Sequence, residues 1–352
     1  MVDGWRRLSV RIKSRLSTRT LILMYHRVSE AESDPWGLAV TPAHFAEHLE
    51  VLRDHYQIAP LRSLCGEPRQ SFSPRRKVVI TFDDGYSDNY YNAKPLLESF
   101  DCPATIFVTT GYTGLNREFW WDELERLCLG SHALPSELKI EANGSRYEWA
   151  QVRCQVSGVG GQGSEGEVQN ERRPWRAWDK EDQTNARHTL YREMWELMQQ
   201  MRESERLEVR NELLEWTGYS GSARASHRPL DENQINEMAS SGLIEIGCHT
   251  VTHPQLAALD IESQGREIRD SKERLEEILG RQVQSFAYPY GRECDYTSDT
   301  MGLLREAEFE CACATSQGIV EDGSGRFQLP RLQVPDVDGE AFRRLLEESA
   351  EC

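Results

Sequence analysis

The sequence predicts an α/β fold of parallel strands and covering helices, closed as a barrel or laid out as a doubly wound sheet, with a helical insertion in its middle. Short apolar, β-branched runs alternate with amphipathic helical segments in both halves of the chain, the pattern of parallel strands joined by helical crossovers. The 352 residues, 38% of them apolar, can bury a sizeable core, and no stretch reaches the ~20 apolar residues of a membrane-spanning helix. Between residues 112 and 230 the alternation gives way to a tryptophan-containing start, a Gly/Ser/Glu-rich tract and a long helical pattern.

Residues 21–25 (LILMY) form the first predicted strand. Thr41 is placed to cap, and Pro42 to open, a helix whose apolar face is Phe45, Leu49 and Leu52. The β-branched run 77–82 (KVVITF) reads as a buried strand, 90–100 as a helix and 104–109 (ATIFVT) as the next strand. Within the insertion, residues 156–170 (VSGVGGQGSEGEVQN) read as a flexible loop and 186–217 as helical. A helix carrying Ile235 and Met238 then leads into strand 244–247 (IEIG). Residues 261–279 form a charged helix that offers Ile261, Ile268, Leu275 and Ile278 to the core and stops at Gly280. Strands at 285–288 and 310–314 flank a further helix, and a last helix over 340–348 buries Phe342, Leu345 and Leu346. The expected organisation is a basic arm (1–20) and one catalytic domain (21–352), interrupted by the insertion at about 112–230.

Charge excludes one class of partner. With 41 basic and 58 acidic residues the net charge is −17, a surface that repels phosphate backbones and excludes nucleic acid as substrate. The nine cysteines are odd in number, scattered and without a CxxC pair, as expected of free thiols in a reducing cytosol. The arm carries Arg6, Arg7, Arg11, Lys13, Arg15 and Arg19 without an apolar signal segment, so a cytoplasmic location is expected. Trp5, Leu8, Ile12 and Leu16 fall at roughly helical spacing among these charges, a pattern that can make peripheral contact with an anionic membrane surface.

Two short patterns carry chemistry. Thr81-Phe82-Asp83-Asp84-Gly85-Tyr86 directly follows one predicted strand, and His249-Thr250-Val251-Thr252-His253 another. In parallel α/β folds catalytic groups sit where strands end and loops begin. Histidines at i and i+4 on a helical turn can meet one ion, and a carboxylate from another strand end completes three protein ligands with a position open to water, the pattern of catalytic zinc. A second carboxylate facing the same water can accept its proton. Tyr288-Pro289-Tyr290-Gly291 closes a third strand.

With these motifs the chain resembles the polysaccharide deacetylase family, the carbohydrate esterases that share the NodB homology domain. The resemblance covers about residues 21–110 and 230–345 and is loose between them. It implies a distorted (β/α) barrel and hydrolysis of N-acetyl groups on amino sugars. It further implies one divalent ion, Zn²⁺ in the first instance, with Asp83 as base and Asp84, His249 and His253 as metal ligands. Pro289 and Tyr290 match the family's third motif, which implies that the Tyr290 N–H helps hold the developing oxyanion.

The chain departs from the family pattern twice. Ala287 replaces the third motif's arginine, which orients the catalytic aspartate, and Arg331 in Leu329-Pro330-Arg331-Leu332 is the expected substitute. No histidine follows His253, so the family's late acid is absent. The Tyr25-His26 pair resembles the poly-N-acetylglucosamine deacetylase branch, which implies His26 as the acid. The other histidines (44, 48, 55, 132, 188 and 227) are expected to be solvated. Trp121, with Trp120 beside it, is a candidate to stack on a sugar ring. The alternatives are an O-acetyl esterase or a deformylase-like hydrolase on the same site, or a catalytically silent glycan-binding protein. Retention of Asp83 argues against the silent reading.

Overall fold

The computed structural model describes residues 19–65, 75–142, 144–150, 175–178, 186–321 and 323–349. The amphipathic pattern at 5–16 and the loop at 156–170 lie outside the described residues. In chain order the first elements are β1 (Thr20–Tyr25), β2 (Arg27–Val28), β3 (Ala39–Val40), α1 (Pro42–His55), β4 (Gln57–Ile58), α2 (Arg62–Cys65) and β5 (Lys77–Phe82). Then come α3 (Lys94–Ser99), β6 (Ala104–Val108), α4 (Trp120–Leu129), β7 (Glu137–Ala142), β8 (Ser145–Ala150), α5 (Ala186–Gln199) and α6 (Glu203–Thr217). The last are α7 (Glu232–Ser240), β9 (Ile244–Cys248), α8 (Ile261–Leu279), β10 (Ser285–Ala287), α9 (Ser298–Glu306), β11 (Cys311–Cys313), β12 (Leu332–Gln333) and α10 (Gly339–Ser349).

These elements fall into two compact units. The larger takes the chain up to Ala31, Leu38–Arg117 and everything from Arg224 onward. Its parallel sheet runs β11-β10-β9-β6-β5-β1-β12, with β4 also on β5. Strand side chains alternate between faces, and here both faces are covered. Ile22, Val79, Phe107, Ala287, Cys311 and Cys313 form one apolar cluster, on the inside of the curled sheet. Leu23, Tyr25, Ile80, Phe82, Ile106 and Ile246 face the other way. They pack with Phe45, Leu49 and Leu52 of α1, Ile235 of α7, Ile268 and Leu275 of α8, and Phe342 and Leu346 of α10. Thr41 caps α1 as expected, accepting from the His44 N–H at 3.3 Å, and Gly280 ends α8 at φ 64°.

Several expectations are corrected here. Ile261, at the first position of α8, is 51% exposed, because the core-facing stripe begins a turn later at Gln264 and Ile268. The expected helix at 90–100 opens with a π-helical turn, Asn89–Ala93. Cys65 and Cys311 are joined by a disulfide inside the sheet, which removes the premise, free thiols throughout, on which a reducing compartment rests. His48 and His227 are buried rather than solvated. His48 sits between the Tyr25 hydroxyl (3.3 Å) and the Val337 carbonyl (2.7 Å), so burial is met by a partner on each ring nitrogen.

The smaller unit takes Glu32–Gly37 and Glu118–Ala223. The helical pattern at 186–217 is two helices, α5 and α6. An antiparallel hairpin precedes them: β7 pairs with β8 from Glu137↔Ala150 to Ala142↔Ser145, burying Leu138, Ile140 and Ala142 while Glu137, Lys139 and Glu141 stay exposed. Arg126 of α4 is buried in ion pairs of 3.0 Å with Glu118 and Glu123.

Candidate active site

The site grows from the C-terminal ends of β5 and β9. Along β5 the inward positions are Val79 and Thr81, and the same alternation carried one residue past the strand points Asp83 inward. Asp83 is fixed at its backbone by its N–H to the Tyr25 carbonyl at 3.0 Å. Its carboxylate receives a two-pronged bond from Arg331: Nη1 to Oδ1 and Nη2 to Oδ2, both 2.7 Å. Arg331 precedes β12, the neighbour of β1, and is 0% exposed. Its Nε donates to the Ala314 carbonyl at 2.9 Å and its Nη1 reaches Thr81 Oγ1 at 3.3 Å, so the guanidinium has a fixed orientation. Burial raises the Asp83 pKa, but the charges of Arg331, His249 and His26 and the Arg331 hydrogen bonds outweigh it and hold the carboxyl down at about 2.

Asp84 turns the other way along the chain, through φ 71°, and its Oδ1 lies 3.5 Å from His249 Nε2 and 3.4 Å from His253 Nε2. His249 follows β9, and its Nδ1 is bonded to the Ala287 carbonyl at 2.7 Å. That carbonyl accepts the Nδ1 hydrogen and directs Nε2 at Asp84. Burial lowers the His249 pKa, but the charges of Asp83 and Asp84 and the hydrogen bonds to Asp84 and Ala287 outweigh burial and raise it. All three side chains are buried, and one ligand atom from each lies within 4.8 Å of the others. The histidines meet by a route other than the expected helical turn. Residues 249–253 form no helix, and Thr250 (φ 66°) and His253 (φ 55°) adopt left-handed backbone.

Tyr290 sets its ring edge-to-face on His253, with centroids 4.8 Å apart, and has φ 61°; Pro289 beside it is buried. His26 is half-buried between β1 and β2, next to Asp83 by the Tyr25↔Phe82 register. The structure thus brings Asp83, Asp84, His249, His253, Arg331, Tyr290 and His26 to one end of the sheet. Trp121 belongs to the smaller unit, is 5% exposed and has its indole stacked on Phe119 at 4.8 Å and 3°. Burial and that stacked neighbour withdraw it as an open sugar platform.

Sequence reasoning missed the residues that hold the His26 segment. Asp88 accepts from Arg27 Nε (3.0 Å) and the Val28 N–H (3.1 Å), and Asn89 Nδ2 donates to the His26 carbonyl at 2.9 Å. No periodicity marks them. Their one signal is polar residues placed just after the Asp-Asp-Gly turn.

A profile described as polysaccharide deacetylase matches residues 71–136 and 182–312, more than half of the chain. YxkH of Bacillus subtilis, which carries that family's name, is 22% identical over 339 residues, 96% of this chain and 79% of YxkH. The poly-β-1,6-N-acetyl-D-glucosamine N-deacetylase of Staphylococcus aureus is 29% identical over 107 residues, 27% of this chain and 37% of that protein. Among solved structures, the Streptococcus pyogenes deacetylase PplD in complex with acetate has a TM-score of 0.56 at 19% identity, covering 94% of this chain and 98% of its own. IcaB from Ammonifex degensii has a TM-score of 0.54 at 17% identity, covering 94% and 97%. At such identities the structures establish a shared fold, a parallel sheet curled into a distorted barrel and covered by helices.

Proposed function

This chain belongs to the polysaccharide deacetylase family of hydrolases, and on that premise we propose that it removes N-acetyl groups from the amino sugars of a polysaccharide, oligosaccharide or glycan precursor with one bound divalent ion. The observation that carries the reading is the pairing of two differently treated carboxylates. Asp83 is held ionised by a buried arginine, while Asp84, one residue on, points its oxygen at two imidazole nitrogens.

The residues fit an ion. A carboxylate and two imidazoles with ligand atoms within 4.8 Å of one another are the donor set of a catalytic rather than a structural site. We assign Asp84, His249 and His253 as its ligands and Zn²⁺ as the ion; when bound, it supplies Lewis-acid polarisation and a more acidic water. The chain's own groups do the rest. Asp83 accepts the proton of the attacking water, and Arg331 aims its carboxylate as the family's missing third-motif arginine would. The Tyr290 N–H donates to the oxygen that gains charge as the carbonyl carbon becomes tetrahedral. His26 protonates the leaving amine, and acetate departs.

The test compares wild type with Asp83→Asn. Bound metal is measured in both, and acetate release is followed on N-acetylglucosamine oligomers and on an O-acetylated panel. Metal in both proteins, with acetate from N-acetyl substrates in wild type alone, supports the reading. Release from O-acetyl sugars only makes the chain an esterase. Metal in both with no acetate from either panel leaves a hydrolase of another acyl group, such as a deformylase-like enzyme, or a glycan-binding protein.

A further inference from the structure

The segment that carries both histidines is conformationally expensive. Thr250 is β-branched and lies at φ 66°, where such residues are outliers, and His253 follows at φ 55°. Backbone of this kind persists only where its surroundings over-determine it. On one side the Thr109–Gly111 turn does so: the Thr110 and Gly111 N–H groups donate to the Thr250 and Val251 carbonyls at 3.1 and 2.8 Å. Gly111 is needed there, because a Cβ at that position would lie 2.5 Å from the Val251 oxygen. On the other side a single side chain from α8 does the same work. Glu267 accepts from the Val251 N–H (2.8 Å), the Thr252 N–H (2.9 Å) and the Thr252 hydroxyl (2.7 Å). Three donors on one carboxylate satisfy the turn in the only stretch between the two histidines.

We propose that Glu267 is a positioning residue whose carboxylate locks the 250–252 turn so that His249 and His253 present their nitrogens to one ion. The inference rests on the reading of those histidines as ligands. Loosening the turn leaves each imidazole intact but lets His253 swing away from Asp84, so the defect belongs to ion binding. Residues that orient metal ligands typically change affinity by about 10–100-fold when replaced.

The experiment titrates metal-free protein with Co²⁺ and follows its visible d–d bands, which report coordination geometry as well as affinity. Glu267→Met keeps the shape and removes every acceptor; Glu267→Gln keeps one acceptor oxygen. The control is Glu276→Gln on the same helix, where the carboxylate accepts from the Val283 N–H at 2.9 Å, away from the turn. Expected are Co²⁺ affinity lower by about 10–100-fold with altered bands in Glu267→Met, a smaller loss in Glu267→Gln, and wild-type binding in Glu276→Gln. Wild-type affinity and bands in both Glu267 variants would overturn the positioning role while leaving the ligand assignment intact. An equal loss in Glu276→Gln would also overturn it, by tracing the effect to helix stability. Wild type that takes up no Co²⁺, or takes it up as well after His249→Ala, defeats the ligand assignment and the inference with it.

Discussion

Replacing Arg331 by methionine tests the most consequential contact in the site. The pair is sealed from water, with Arg331 0% and Asp83 3% exposed, and its two N–O distances are 2.7 Å. Methionine keeps an unbranched apolar stem among the same neighbours, so the change is chiefly the loss of the cation. Asp83 then loses both guanidinium donors to its carboxylate, and burial, the largest influence on its pKa, is left with less to oppose it. Breaking one side of a buried pair costs about 3–5 kcal/mol, against roughly 0.5 kcal/mol for a surface substitution. Urea unfolding at an unchanged m-value reads that difference as a lower midpoint. The double variant Asp83→Asn/Arg331→Met has no stranded charge on either side, so it should be more stable than the two single losses predict, by about 2 kcal/mol or more. Acetate release should be lost in all three. A single variant as stable as wild type, or a double variant whose losses simply add, would refute the argument that the ion pair is what holds Asp83.

Three further outcomes follow from the fold. Cys65→Ala opens a cross-link spanning 246 residues, which in the chain-entropy account lowers unfolding free energy by up to about 5 kcal/mol, and thermal unfolding with and without reductant checks it in wild type. His48 is buried with its pKa lowered to about 4, chiefly by burial, so the native state resists its protonation. The stability it contributes is complete above pH ~6.5 and is lost as pH falls toward ~4, by about 3 kcal/mol, and His48→Gln should flatten that slope in urea unfolding. Glu308 is exposed at φ 58° just beyond α9, where Glu308→Gly should raise the unfolding midpoint through a gain of about 0.5–1 kcal/mol.

What the sequence made legible was whatever depends on pattern along the chain. The strands at 77–82 and 104–108 and the helix Ile261–Leu279 follow from β-branched runs, helical periodicity and a glycine stop. The hairpin β7–β8 also carried its signal, polar-apolar alternation on either side of Asn143-Gly144, but short strands inside a region read as helical are easily passed over. The disulfide was illegible for a different reason. Cys65 and Cys311 are 246 residues apart in sequence, and only the tertiary fold brings α2 against β11. Trp121 shows the limit of composition: an indole at a strand end can line a groove or pack on its own helix, and stacking on Phe119 chose the second.

The candidate site itself depends on backbone handedness, which residue identity barely encodes. Adjacent strand residues face opposite sides of a sheet, so a continued strand would send Asp83 inward and Asp84 out into the helical layer. The left-handed step at Asp84 cancels that alternation and returns the second carboxylate to the same side. Thr250 and His253 do the equivalent after β9, and Tyr290 after β10, making four of the six positive-φ non-glycine residues among the described residues. Each costs roughly 1–2 kcal/mol for an L-residue, and each is tied down nearby. The Thr109 N–H donates to the Asp84 carbonyl at 3.1 Å, the Thr315 hydroxyl to the Tyr290 carbonyl at 2.7 Å, and the His253 N–H to Thr250 Oγ1 at 3.0 Å. Four strained residues gathered at one end of the sheet are the pattern expected of a site under functional constraint. Left-handed backbone is also why the two motifs converge although residues 249–253 form no helical turn.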